Sequence, residues 1–65
     1  MRNDLFRARR TAKGLSQSQL AEACQISETN IAYYERGQRV PSVFNALRIA
    51  QALRCRVDEI FREPK

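Results

Sequence analysis

A chain of 65 residues with 43% hydrophobic and 29% charged side chains has room for one small core, and is neither a disordered tail nor a membrane-embedded protein. Twelve Lys and Arg against seven Asp and Glu leave a net charge of +5, and ten of the bases are Arg, which suits a polyanionic partner, nucleic acid or an anionic membrane. With no His, two Gly and two Cys, the sequence lacks the usual general base, the common zinc sets and a Gly-rich phosphate loop, so no enzyme, metal or cofactor is expected.

No apolar run approaches the roughly 18 residues of a membrane span. Met1 to Arg7 carry no apolar signal core, so a cytoplasmic location is expected. Cys24 and Cys55 both sit among apolar neighbours, where a thiol behaves as a small hydrophobe. That reading is preferred to a disulfide, because small exported scaffolds usually carry four or more Cys.

The chain reads as helical throughout, with breaks at Gly14–Ser16, Gln25–Ser27, Gly37–Ser42 and Arg54–Arg56 that predict five helices. The first is expected from about Asn3 to Lys13, with Leu5, Phe6, Ala8 and Ala12 as its apolar stripe and Gly14 as a left-handed stop. The second opens on a capping box, Ser16 with Gln19, and a hydrophobic staple, Leu15 with Leu20. The third repeats the device with Ser27 as cap and Ile26 and Ile31 as staple, and ends at Gly37. The fourth follows Pro41 with Ser42 as cap, runs to about Arg54, and offers Phe44, Leu47, Ile49, Ala50 and Leu53 as a broad apolar face. The fifth is short, Val57 to Phe61, with Val57, Ile60 and Phe61 facing inward, and Pro64 closes the chain.

Only about three residues join the second and third helices, which forces a sharp corner and suggests a helix-turn-helix. Leu20, Cys24, Ile26, Ile31 and Tyr34 are apolar at the positions that must face inward, and Ala21 is small where the two helices approach most closely. Ser18, Gln19, Glu22, Gln25, Glu28, Thr29, Tyr33 and Arg36 take the outward positions. The charges follow the same plan. Leu5 to Ala21 hold four bases and no acid, and Arg36 to Arg56 hold five bases and no acid.

These residues carry a resemblance. Arg10, Gly14-Leu15-Ser16-Gln17, Leu20-Ala21, Ile26-Ser27, Ile31, Tyr34-Glu35, Gly37, Pro41-Ser42, Ile49-Ala50, Leu53 and Val57-Asp58-Glu59-Ile60-Phe61 are similar to the phage-repressor-like helix-turn-helix regulators of the lambda repressor, Cro and XRE type. The resemblance spans essentially the whole chain. It implies an all-α, compact five-helix domain over residues 1–65, with a helix-turn-helix formed by helices 2 and 3 and helix 3 in the major groove of DNA. It also implies pairing of Arg10 with Glu35 across helices 1 and 3, with Arg10 open to a phosphate, and a phosphate-binding Gln17. Three positions depart from the family pattern: Gln25 where Gly is usual at the corner, Arg9 in place of an apolar residue, and Arg56 in place of a Ser-like cap. Gln25 is therefore expected to be strained or to reshape the turn, Arg9 to turn its charge outward, and the last helix to fray.

On this reading the DNA-binding residues are Gln17, Ser27, Glu28, Thr29, Asn30, Tyr33, Arg36, Gln38 and Arg39. Glu28 can accept from a cytosine amine, or serve only the dipole at the helix start. Thr29 can offer its hydroxyl or methyl group to a base, and Tyr33 reads as an exposed groove contact rather than a packed ring. Arg36, Gln38 and Arg39 suit the flanking backbone or a narrow minor groove. The expected protein is a cytoplasmic, homodimeric transcriptional regulator, a repressor on a near-palindromic operator in double-stranded DNA, dimerising near Val57 to Phe61. The alternative is an antitoxin or anti-repressor module that binds a protein partner.

Overall fold

The computed structural model describes residues 3–61. Pro64, read as closing the chain, lies outside them, as do Met1 and Arg2. Among the described residues there are five helices and no strand: α1 (Asp4–Ala12), α2 (Gln17–Cys24), α3 (Glu28–Glu35), α4 (Val43–Leu53) and α5 (Val57–Ile60). The expected all-α, five-helix class is the observed one.

The starts of α1 to α4 are each set by a short polar side chain. The oxygens of Ser16, Ser27 and Ser42 accept from the backbone N–H of Gln19, Asn30 and Asn45 at 3.0, 3.1 and 3.2 Å. Gln19 returns the favour at α2 by accepting from the Ser16 N–H at 2.8 Å, which completes the capping box. At α1 the cap is Asn3, so the helix begins at Asp4, one residue later than the expected start at about Asn3. Its Oδ1 accepts from Phe6 N–H, its own N–H donates to the Glu35 carbonyl at 2.8 Å, and its Nδ2 donates to the Ile60 carbonyl. One asparagine thereby fastens the start of α1 to the ends of α3 and α5. At α5, Arg56 has no side-chain acceptor to offer, and the Glu59 carboxylate takes the Arg56 N–H at 2.7 Å instead.

The first four helices end alike. Leu15, Ile26, Gln38 and Cys55 donate to carbonyls five residues back, on Arg10, Ala21, Tyr33 and Ala50, at 3.2, 3.0, 2.9 and 3.0 Å. The residue before each donor is left-handed: Gly14, Gln25, Gly37 and Arg54, with φ of 71°, 58°, 74° and 54°. Two of the four lack the freedom of glycine, and a side chain there costs roughly 1–2 kcal/mol. Gln25 is the strained corner expected from sequence; Arg54 is a second such position that the sequence marked only as a break. Gln25→Gly is therefore expected to stabilise the chain by about 1 kcal/mol, after the larger unfolded-state entropy of glycine is deducted. Thermal unfolding checks this, and a lower midpoint in the variant would contradict it.

Packing follows the inward positions. Phe6, Leu20, Ile31, Ile49, Leu53 and Ile60 are fully buried, and Ala21, Cys24, Ile26, Tyr34 and Ala50 join them. α2 lies against α3 and α4, while α1 closes on α3 and α5. Two expectations need correction. In α1 only Phe6 is buried; Leu5, Ala8 and Ala12 face water, because a helix at the edge of so small a core has a single inward row. In α4, Ala46, Ile49, Ala50 and Leu53 face inward, whereas Phe44 and Leu47 point outward. At the C-terminal end Val57, Ile60 and Phe61 turn inward as expected: Ile60 is buried, Val57 and Phe61 are half-buried, and Phe61 packs edge-on against Phe6 and Tyr34, with ring centroids 5.4 and 6.4 Å apart.

Both cysteines are free, Cys24 buried and Cys55 half-buried. Burial raises both thiol pKa values, which disfavours the reactive thiolate.

Candidate nucleic-acid interface

The α2–α3 corner is rigid for reasons already visible in its residues. Gln25 to Ser27 reverse the chain between two helices whose shared face is Leu20, Ala21, Cys24, Ile26, Ile31 and Tyr34, each 9% exposed or less. With that face fixed, helical geometry sends Glu28 and Thr29 outward from the first turn of α3, where both are exposed. Asn30 is half-buried beside them. The Ser27 hydroxyl is committed to the cap, so it serves the helix before any ligand.

Tyr33, expected to be exposed, is half-buried. The Arg36 and Arg39 guanidinium carbons lie 5.5 and 5.1 Å from its ring centroid, within cation–π range. Arg36, Gln38 and Arg39 are all exposed at the exit of α3. Among the described residues neither arginine has an ion-pair partner.

Arg10 and Glu35 meet as the resemblance implied. Arg10 donates from Nε and Nη2 to the two Glu35 carboxylate oxygens at 2.9 and 2.8 Å, a bidentate grip. Its Nη1 also donates to the Leu15 carbonyl at 2.7 Å, tying the end of α1 to the entry of α2. Glu35 is only 8% exposed and is the buried charge among the described residues. Burial by itself raises the Glu35 pKa; hydrogen bonds from Arg10 and Gln17 and the charges of Arg10 and Arg7 outweigh it, so the net shift is downward. The Arg10 pKa is raised, chiefly by its hydrogen bond to Glu35.

Gln17 Nε2 donates to Glu35 at 3.3 Å, so its amide belongs to the same network. Asp4, Arg7, Arg10, Gln17, Glu35 and Arg36 line one polar cleft beside the start of α2. Arg7 was not among the sequence candidates. Its spacing of three from Arg10 on one helix was the signal, since residues so placed share a face. With Arg10 turned inward, Arg7 is the more open base, its side chain 62% exposed. Arg9 does direct its charge outward, to Glu59 at 3.5 Å.

Among the described residues no three His, Cys, Asp or Glu converge as metal ligands, and no helix is long and apolar enough to cross a membrane. A five-helix domain with a capped, tightly cornered second and third helix and a basic outward surface defines a helix-turn-helix DNA-binding protein. A helix-turn-helix family model matches residues 6–60, and the chain belongs to that family, as a DNA-binding transcriptional regulator of the XRE type. The chain is 40% identical over 58 residues to an uncharacterized HTH-type transcriptional regulator of Methanothermobacter thermautotrophicus, covering 88% of this chain and 84% of that one. It is 33% identical over 48 residues to the HTH-type transcriptional regulator YgzD of Bacillus subtilis, covering 74% and 73%. The crystal structure of the restriction-modification controller protein C.AhdI from Aeromonas hydrophila matches with a TM-score of 0.83 at 41% identity, covering 91% of this chain and 89% of C.AhdI.

Proposed function

We propose that the chain is a cytoplasmic, sequence-specific repressor that acts through residues 1–65 as one domain and binds a near-palindromic operator as a homodimer, with α3 in the major groove. The observation that carries this reading is the outward face of α3: Glu28 and Thr29 project into solvent from the first turn of a helix whose opposite face is locked into the core. Side chains so placed reach base edges when a helix enters the major groove. Gln17, Ser27 and Asn30 border that face, and Arg36, Gln38 and Arg39 extend it towards the flanking backbone, where contacts fix register rather than read sequence. Arg7 is added to this set as a phosphate ligand, taking much of the role expected of Arg10. The likeness to the controller protein C.AhdI supports a regulatory task of the same general kind.

One half-site offers a monomer too little surface for strong discrimination. The dimer surface we assign is the outer face of α4, where Val43, Phe44 and Leu47 are 73%, 77% and 46% exposed, with Val40 at 89% beside them. Contiguous exposed apolar side chains of this size mark a contact surface. The same face is what favours the alternative, a different protein as partner; an equimolar second chain with no self-association would decide for that.

Binding to duplex DNA is expected to fall steeply with salt. A dimer covering about 6–10 phosphates gives a slope of log affinity against log salt of roughly −5 to −9. Arg36→Ala or Arg39→Ala is expected to flatten it by about one unit per contact while leaving base preference intact. Fluorescence anisotropy across a salt series checks this. Affinity that does not change with salt contradicts the electrostatic basis of the reading.

A further inference from the structure

We propose that Tyr33 is a positioning residue, whose ring braces Arg36 and Arg39 for backbone phosphates and does not itself read a base. The proposal rests on the DNA-binding reading above. Two guanidinium carbons 5.5 and 5.1 Å from one ring centroid give the tyrosine a task in the free protein, and explain why an outward-facing ring on α3 is half-buried. The ring's negative face attracts both cations. Their mutual repulsion remains, because Glu35, the carboxylate that lines a cleft together with Arg36, is held by Arg10, and neither Arg36 nor Arg39 has an ion pair among the described residues. Two like charges gathered on a neutral platform are completed by an anion, and a phosphate diester of the DNA backbone is the anion this surface would meet. Arg is also rich in rotamers, so ordering it at an interface is costly. A ring that restrains both arginines beforehand removes part of that cost at every site, whatever the sequence.

Brace and base reader differ in what they predict. A brace needs the aromatic face, not the hydroxyl, and acts equally on all duplexes. Tyr33→Leu is expected to weaken binding about fivefold per half-site, on both a mixed-sequence duplex and one selected from a random library. Tyr33→Phe is expected to rescue that loss. In an Arg36→Ala/Arg39→Ala background, Tyr33→Leu is expected to cost nothing more, which a general loss of structure would not produce. In the free protein, NMR is expected to find ring-current shifts on the Arg36 and Arg39 side-chain protons that persist in the Phe variant. This readout stands even if the Leu variant does not fold. A loss confined to the selected duplex, a failure of Phe to rescue, an undiminished penalty in the double-Ala background, or absent ring-current shifts would each overturn the brace. If the parent chain binds no duplex at all, the DNA-binding reading fails first, and the salt series reveals that separately.

Discussion

Arg10→Met is expected to lower folding stability by about 3 kcal/mol, because it strands the Glu35 carboxylate without its bidentate partner. For a domain of this size that corresponds to a thermal midpoint lower by roughly 15 °C. The Leu15 carbonyl loses its donor at the same time, so the link between α1 and α2 loosens as well. Removing both charges, as Arg10→Met with Glu35→Leu, is expected to recover much of the loss, since packed apolar groups carry no desolvation cost. A double-mutant cycle in thermal or urea unfolding measures the coupling, and a double-variant loss equal to the sum of the two single-variant losses would show that the pair carries none of it.

The pH dependence has opposite signs in parent and variant. In the parent the Glu35 pKa lies below its unfolded value, so its stabilisation is present above about pH 4.3 and disappears as pH falls through the folded pKa. In Arg10→Met the burial contribution gains weight and the Glu35 pKa moves up, so protonation relieves the variant. The stability gap between the two is therefore expected to narrow as pH is lowered from 7 towards 4. A gap that widens in acid would show that Glu35 is not the group being stranded.

Capping and left-handed stops were legible because they are local. Ser16 with Gln19, Ser27, and Ser42 each announce a helix within a few residues, and the observed starts follow them. The strain at Gln25 was readable as the replacement of an expected Gly; Arg54 adopts the same backbone, but nothing in Leu53-Arg54-Cys55 distinguishes a left-handed stop from an ordinary turn. What escaped the sequence depends on which neighbours a residue meets. Asn3 looks like any helix-opening residue until α3 and α5 bring Glu35 and Ile60 to it. Phe44 and Phe61 have similar local surroundings, yet one points to water and the other packs on Phe6 and Tyr34, because only the latter lies over the seam between α1 and α3. At the interface, helical spacing placed Glu28 and Thr29 correctly on the surface. It could not show that Tyr33 would lie under two arginines, since Arg39 is beyond the end of α3.

Glu28→Ala and Thr29→Ala are each expected to change the preferred base at one position per half-site, with a discrimination loss of about 1–3 kcal/mol. Their side chains make none of the core contacts, so circular dichroism should show parental folds. The most direct measurement is selection of bound duplexes from a random library with the parent chain, repeated with these two variants. The account predicts that the parent enriches a two-fold symmetric sequence with half-sites about one helical turn apart, and that each variant relaxes or switches one symmetric pair of positions within it. Enrichment of the same sequence by all three chains would contradict the assignment of α3 as the reader.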